Sequence, residues 1–211
     1  MSKIKLLVIG AGGHGRSVAE AALLSGEYQL AGFLDDAIPV GEMVMGLPVM
    51  GSIANIEQMI DECDLAIVAI GNNVVRAQLM QQLYQIGIGA ANVIHPHAFV
   101  SPTATLGSGI AIMAAAVVGT EARLGDGVIV NCAAVVDHHA VVEDFGHLGV
   151  NACMAGGSQL GKGAWMQAGS SLGYGVSIPA GEVLEPGVAV KKHDQHVKKM
   201  KNPLTERTGG F

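Results

Sequence analysis

From Val100 to Val190 every sixth residue is large and apolar: Val100, Leu106, Ile112, Val118, Leu124, Val130, Val136, Val142, Leu148, Met154, Leu160, Met166, Leu172, Ile178, Leu184 and Val190, without one insertion. Because 50% of the chain is hydrophobic, chance agreement at all of these positions is on the order of one in ten thousand or less. Strand side chains alternate between faces, so residues two apart point the same way. The residue two before each large one is usually small, as in Ala98, Ala104, Ala116, Ala122, Ala134, Ala140, Gly146, Ala152, Ser158, Ala164 and Ser170. Each hexapeptide therefore reads as a short strand with one small and one large residue inward. A corner follows, where Gly107, Gly119, Gly125, Asn131, Asp137, Gly149, Gly161 or Gly173 supplies turn chemistry. Strands that turn so often must wind into a prism whose coils stack at about 4.8 Å. With Trp 1, Tyr 3 and Phe 4 in the whole chain, the core has to be aliphatic.

This pattern resembles the left-handed parallel β-helix of the hexapeptide-repeat acyltransferases. The resemblance implies a left-handed winding, eighteen residues per coil and about five coils in residues 100–190. Outward segments such as AAAVVG and NACMAGG are apolar enough to expect burial against neighbours, and a homotrimer is the closed arrangement that suits a prism.

Before the repeat the pattern is α/β. The run KLLVI at 5–9 ends in Gly10, Gly12, Gly13, His14 and Gly15, then a helical pattern closes at Gly26. The spacing G-x-G-x-x-G between a strand and a helix lets the backbone approach a phosphate and aims the first helical amides at it. A second strand, Gln29–Leu34, delivers Asp35 and Asp36 where a ribose or base contact is expected. A third, Leu65–Ile70, ends in Gly71, Asn72 and Asn73, followed by a helix over Val74–Ile86 with Arg76 in its first turn. Ligands of open α/β sheets sit outside the carboxyl ends of the strands, so these loops are expected to share one substrate-binding crevice. Residues 1–95 hold only half of a doubly wound fold, which suits a nucleotide-sugar better than NAD. The expected organisation is a Rossmann-like half domain (1–95), the β-helix (96–190) and a basic tail (191–211).

One stretch of the repeat departs from small apolar residues: Asn131, Asp137, His138, His139 and His147 fall within seventeen residues. At eighteen per coil, Gly156 stacks over His138 and Trp165 over His147. A neutral imidazole beside a sterically open N–H is the pairing that acyl transfer needs, a base for the attacking group and a donor for the thioester oxygen. Asp137 is expected to point away from His138 because neighbouring side chains alternate.

Five segments carry a narrower resemblance: GAGGHG, the LDD after the second strand, AIGNNVVR, IHPHAFVSPTA at the junction, and NCAAVVDHHAVVEDFGHLGVNACMAGG. Together they are similar to the bacterial acetyltransferases that act on UDP-4-amino-sugars on the route to bacillosamine-type glycans, a group to which sialic-acid O-acetyltransferases are related. The resemblance implies that acetyl-CoA is the acyl donor and that His138 is the catalytic base. It also implies that Asn131 and His147 are active-site polar residues, that Gly156 donates to the acetyl carbonyl, and that the N-terminal loops bind the nucleotide. Gly156, Trp165, Gly173, Lys191 and Lys192 are expected to meet the coenzyme. His139 stands where the family often has an acid, so a base without a carboxylate is expected, and an amine rather than a hydroxyl acceptor. The tail lacks the G-x-P-A segment common in the family. The alternatives are a sugar O-acetyltransferase and a non-catalytic nucleotide-sugar-binding trimer.

Charge excludes other partners. Residues 191–211 carry six of the 12 Lys and Arg against Asp194 and Glu206, leaving six basic and sixteen acidic side chains elsewhere. An acidic body does not suit a nucleic-acid duplex. No apolar run reaches the length of a membrane span, and the opening residues lack a signal-peptide pattern, so a cytoplasmic protein is expected. The three cysteines, Cys63, Cys132 and Cys153, read as buried small hydrophobes. The histidine spacing does not supply the three zinc ligands of a γ-carbonic anhydrase, so no metal is expected.

Overall fold

The computed structural model describes residues 3–192. The first part comprises β1 (Ile4–Ile9), α1 (Gly13–Ser25), β2 (Tyr28–Leu34), β3 (Met43–Val44), β4 (Leu47–Gly51), a 3-10 helix (Ile53–Met59), β5 (Leu65–Val68), α2 (Asn73–Gln85) and β6 (Gly89–Ala90). The sheet order is β3-β4-β2-β1-β5-β6, with β3 and β4 an antiparallel hairpin on an otherwise parallel sheet. The central strands are buried on both sides, as continuous apolar runs such as LLVI require. Helix α1 starts at Gly13, so Gly13 and Gly15 lie inside it. A Cβ on Gly15 would fall 1.9 Å from the Gly10 carbonyl oxygen, which explains why the helix can cross the strand end so closely. The helix stops at Gly26, whose left-handed φ of 73° lets its N–H reach Leu23.

The second part is a parallel β-helix of seventeen two-residue strands in three stacked sheets of six, six and five. Face one holds Val93–Ile94, Ala111–Ile112, Ile129–Val130, His147–Leu148, Trp165–Met166 and Val183–Leu184. Face two runs from Phe99–Val100 to Ala189–Val190, and face three from Thr105–Leu106 to Ser177–Ile178. Each strand pairs with the one eighteen residues on, as in Ala111↔Ile129 and Val135↔Cys153. The inward positions are the expected ones, and the core they form is aliphatic, with Val118, Val136, Met154, Leu160 and Met166 at 0% exposure. Each such side chain contributes about 1.5–3 kcal/mol by leaving water.

The corners differ from the expectation. The left-handed residue is the third after each inward one, recurring every six positions through Gly109, Ala115, Glu121, Gly127, Ala133, His139 and Phe145. The glycines immediately after the inward residue serve another purpose: a Cβ on Gly119 would lie 2.9 Å from the His138 nitrogen, and one on Gly161 2.5 Å from that of Ala180. They are small because the next coil passes directly over them. Non-glycine residues in the left-handed region cost about 1–2 kcal/mol each, a cost that the coils above and below offset.

The α/β domain sits on face one. The outward side chains Val93, Ala111 and Ile129 are buried with Val18, Ala19 and Ala22 of α1 in one cluster. Face two stays open and apolar, with Phe99 58% exposed and Cys153 also exposed. The cysteines therefore do not share one environment: Cys63 is buried, Cys132 half-buried and Cys153 exposed, because the last lies on the outward side of its strand.

Candidate active site

His138 lies on the vertex between faces two and three, in the corner after Val135–Val136. Its ring rests on the next coil at Gly156, where a Cβ would come within 2.3 Å of Cε1 and 2.4 Å of Nε2. Gly156 is the gap that admits the imidazole. The Asp137 carboxylate does not point elsewhere, as alternation suggested: Oδ1 is 3.0 Å from His138 Nδ1 and accepts the His138 backbone N–H at 2.7 Å. Corner backbone is not extended, so strand alternation does not apply there. The contacts to His138 hold the Asp137 carboxyl below its ordinary value, the bond to the ring being the largest cause and one from the Gly156 N–H the smallest. His139 occupies the left-handed corner position (φ 56°), and its Nδ1 faces Glu121 Oε2 at 3.1 Å. The two histidine rings meet edge to face at 5.4 Å. Tyr174, two coils above His138 in the same column, places its ring 6.4 Å away. Sequence reasoning missed Tyr174, although the eighteen-residue register that found Gly156 also finds it. Gly173 belongs to this vertex, and Lys192 Nζ would lie 3.9 Å from a Cβ on Gly175. The rest of the expected basic tail, from residue 193 onward, lies outside the described residues.

A second polar cluster forms where the α/β loops meet face one. His147 is outward as expected, yet only 7% exposed, because the α/β domain covers it. Trp165 stacks on it at 5.3 Å with planes 14° apart. Gly71 lies against the same ring. His14 Nε2 and His147 Nδ1 are buried without a hydrogen-bond partner. Burial first, then the Arg76 charge, lowers His14 to about 4, and burial, Arg76 and His14 lower His147 to about 3. Both are neutral imidazoles at pH 7.

Several residues expected to hold substrate also hold the protein together. Arg76 is 0% exposed, and all five of its N–H groups are taken. Nε donates to Gly127 O at 2.7 Å, Nη1 to Ile70 O and Gly71 O, and Nη2 to Asn73 Oδ1 and Phe145 O. Gly127 and Phe145 are left-handed corner residues of the coil, so Arg76 fastens the two domains together rather than facing a ligand. Asn73 adds a bond to Gly163 O at 2.9 Å, and Asn72 caps α2 through Val74 and Val75. Asp35 accepts from the backbone of Ala11, Ala37 and Ile38, fixing the glycine loop to the end of β2. Asp36 accepts from Ile53 and stays exposed. At Gly12 and Gly13, where α1 starts, a Cβ would meet nothing within 4 Å. Asn131 is half-buried on the vertex between faces one and two, its Oδ1 accepting from Cys132.

The expected site residues therefore fall into two groups. Gly10, Gly12, Gly13, His14, Gly15, Gly71, His147 and Trp165 gather over face one, whereas His138, His139, Gly156 and Gly173 line the vertex opposite that face of the same prism. Among the described residues no group of three or more His, Cys, Asp or Glu could hold a metal ion, and no helix is long and apolar enough to cross a membrane.

Comparisons with known proteins place the chain among its relatives. Residues 5–83 match the family profile of the PglD N-terminal domain. The chain is 34% identical over 114 residues to a UDP-N-acetylbacillosamine N-acetyltransferase of Bacillus subtilis, a match that covers 51% of this chain and 50% of that protein. The matched stretch thus spans about half the length of that curated relative. The fold superposes with a TM-score of 0.79 and 32% identity on a histidine-to-alanine mutant of the GDP-perosamine N-acetyl transferase of Caulobacter crescentus, solved in complex with CoA and GDP-perosamine, covering 88% of this chain and 90% of that one. It also matches the acetyltransferase domain of PglB from Neisseria gonorrhoeae in complex with acetyl coenzyme A, with a TM-score of 0.72 and 37% identity over 91% of this chain and 98% of that one.

Proposed function

Because this chain belongs to the nucleotide-sugar N-acetyltransferases of the hexapeptide-repeat, left-handed β-helix superfamily, we propose that it moves the acetyl group of acetyl-CoA to the amine of a nucleotide-linked amino-sugar in the cytoplasm. The favoured acceptor is the 4-amino group of a UDP-sugar. The observation that carries the reading is the His138 imidazole laid into the gap at Gly156. With Nδ1 turned to Asp137, Nε2 keeps a lone pair for an incoming amine. In the proposed reaction His138 takes one proton from the amine nitrogen as that nitrogen bonds to the thioester carbonyl carbon. The C–S bond then breaks, and the imidazolium returns the proton to the leaving thiolate. Gly156 N–H is assigned to the acyl oxygen, an assignment that requires the oxygen to displace the weak contact of this amide with Asp137. The acyl donor fits here because the vertex has no side chain at 156 and only glycine at 173 and 175.

The sequence argument for an amine acceptor, a base without a carboxylate, does not survive the Asp137 contact. The amine rests instead on the three relatives, each named as an acetyltransferase and two of them as N-acetyltransferases of nucleotide-sugar chemistry. The separation of the two residue groups supports a homotrimer. A nucleotide-sugar held by the face-one loops of one protomer would reach a His138 vertex only on a neighbour, and the open apolar face two offers the contact surface.

The direct test offers acetyl-CoA with UDP- and GDP-linked 4-amino-sugars and follows free thiol. Thiol release that depends on the amino-sugar is expected. Equal kcat/KM for matching 4-hydroxy sugars would favour the O-acetyltransferase, and no transfer with any acyl acceptor would leave a binding module. Light scattering should give three protomers; a monodisperse monomer would remove the shared site.

A further inference from the structure

His138 is followed by His139, and the residue before it, Asp137, is the acidic one. We propose that Asp137 is the positioning residue for His138, setting which imidazole nitrogen faces the acceptor, and that His139 has no part in this. The inference rests on the reading of His138 as the base.

The geometry is local and specific. A single carboxylate oxygen, Oδ1, faces both the backbone N–H of His138 at 2.7 Å and its Nδ1 at 3.0 Å. The ring is thereby tied to its own main chain, so rotation about its side-chain bonds is restrained without any help from a distant element. Because a carboxylate only accepts, Nδ1 must carry the proton, which leaves Nε2 as the acceptor nitrogen. Nε2 lies on the side of the ring that meets Gly156, the position the acyl group needs. Asp137 serves an imidazolium as well as an imidazole, since its charge stabilises the protonated ring formed during transfer.

His139 is unsuited to the role. Its left-handed corner backbone turns it from the column, its Nδ1 faces Glu121, and its ring meets the edge of His138 rather than a ring nitrogen at bonding distance. The charged and titratable groups that face His138 are therefore Asp137 from its own corner, His139 with Glu121 beside it, and Tyr174 from the coils above, with Cys153 sensing the same carboxylate. Asp137 is about half exposed (47% for its side chain), so its effect should be smaller than that of a fully buried triad aspartate.

The test compares Asp137→Asn, Asp137→Glu and Glu121→Gln in the full-length protein, using kcat and the pH profile of kcat/KM for acetyl transfer. Asp137→Asn should lower kcat roughly ten- to hundred-fold and move the acidic limb of the profile to lower pH, because the imidazolium loses its carboxylate. Asp137→Glu should restore part of the rate, and Glu121→Gln should leave both readouts unchanged. A lost rate with an unmoved limb would mark Asp137 as merely structural, and an unchanged or raised rate in Asp137→Asn would overturn the proposal. If Glu121→Gln moved the limb instead, His139 would be the residue that matters. Absence of acetyl transfer in the unsubstituted protein would instead be a failure of the functional reading, which separates the two.

Discussion

In the α/β domain the polar residues at the strand ends turn back onto the backbone, whereas at one vertex of the coil the His138 imidazole keeps a ring nitrogen off the main chain. Asp35 gives its carboxylate to three amides, Asn72 caps a helix and Arg76 spends every donor on the seam with the coil. The His138 side chain faces its neighbour Asp137 through Nδ1 and rests Nε2 over Gly156. The cause lies in how each region satisfies its main chain. Open sheets end in irregular loops whose buried amides need side-chain partners. In the coil each strand and corner is satisfied by the coil above and below, as when Gly157 donates to His138 O and His139 to Thr120 O. Repetition satisfies most of the coil's main chain, although Asp126, Asn131 and Asp137 still accept from corner amides.

Substitutions can break this comparison. The largest effect is expected at the vertex: His138→Ala should lower kcat roughly a hundred-fold or more, with affinity for either substrate within a few-fold and an unchanged melting temperature. A marked fall in melting temperature would mean that the corner side chain is structural after all. His139→Ala should cost much less activity, and steady-state kinetics on the pair will rank them. Next comes Arg76→Ala, which strands carbonyls of both domains and should destabilise the protein by about 3 kcal/mol or more, read by chemical denaturation. A loss below about 1 kcal/mol would show that water replaces the guanidinium without penalty.

Asp35→Ala should weaken nucleotide binding by calorimetry and cost about 1–3 kcal/mol of stability, because the Ala11 amide loses its acceptor. Asp36→Ala should leave stability nearly intact, so any loss of UDP affinity in that variant would come from contact with ligand. Unchanged affinity in both would take the nucleotide away from these loops.

The last test is a pH dependence. His14 and His147 are held near 4 and 3 in the folded state against an ordinary value of 6.5. The unfolded chain binds protons first as pH falls, so stability is complete above pH 6.5 and declines from there to about 4 for His14 and about 3 for His147. Melting temperature measured across that window should fall, and His147→Gln should flatten the slope. An equal slope in that variant would place the acid sensitivity elsewhere.

How much was legible differs between the regions for the same reason. The repeat is strictly local in sequence, so the inward residues, the stacking of Gly156 on His138 and that of Trp165 on His147 could be read by counting eighteen. Tyr174 was within reach of the same count. The position of the left-handed residue was not, because Ala115, Glu121, His139 and Phe145 carry no turn signal of their own; the neighbouring coils impose the conformation on them. In the α/β half the glycine loop and the three strand ends were legible, since strand, turn and helix follow one another in the chain.

Sequence by itself determined the coil, its core, the glycine-opened vertex and the loops that ring the sheet. Tertiary structure alone decided what each polar residue touches. Arg76 becomes a seam between domains because α2 docks beside corners at 127 and 145, positions distant in the chain. His147 becomes a neutral, buried imidazole because a second domain covers face one. Asp137 turns to its neighbour because a corner breaks the alternation that strand spacing would impose. Each of these depends on contacts between residues far apart in sequence or on backbone dihedrals set by packing, and neither is encoded in the spacing of residue types.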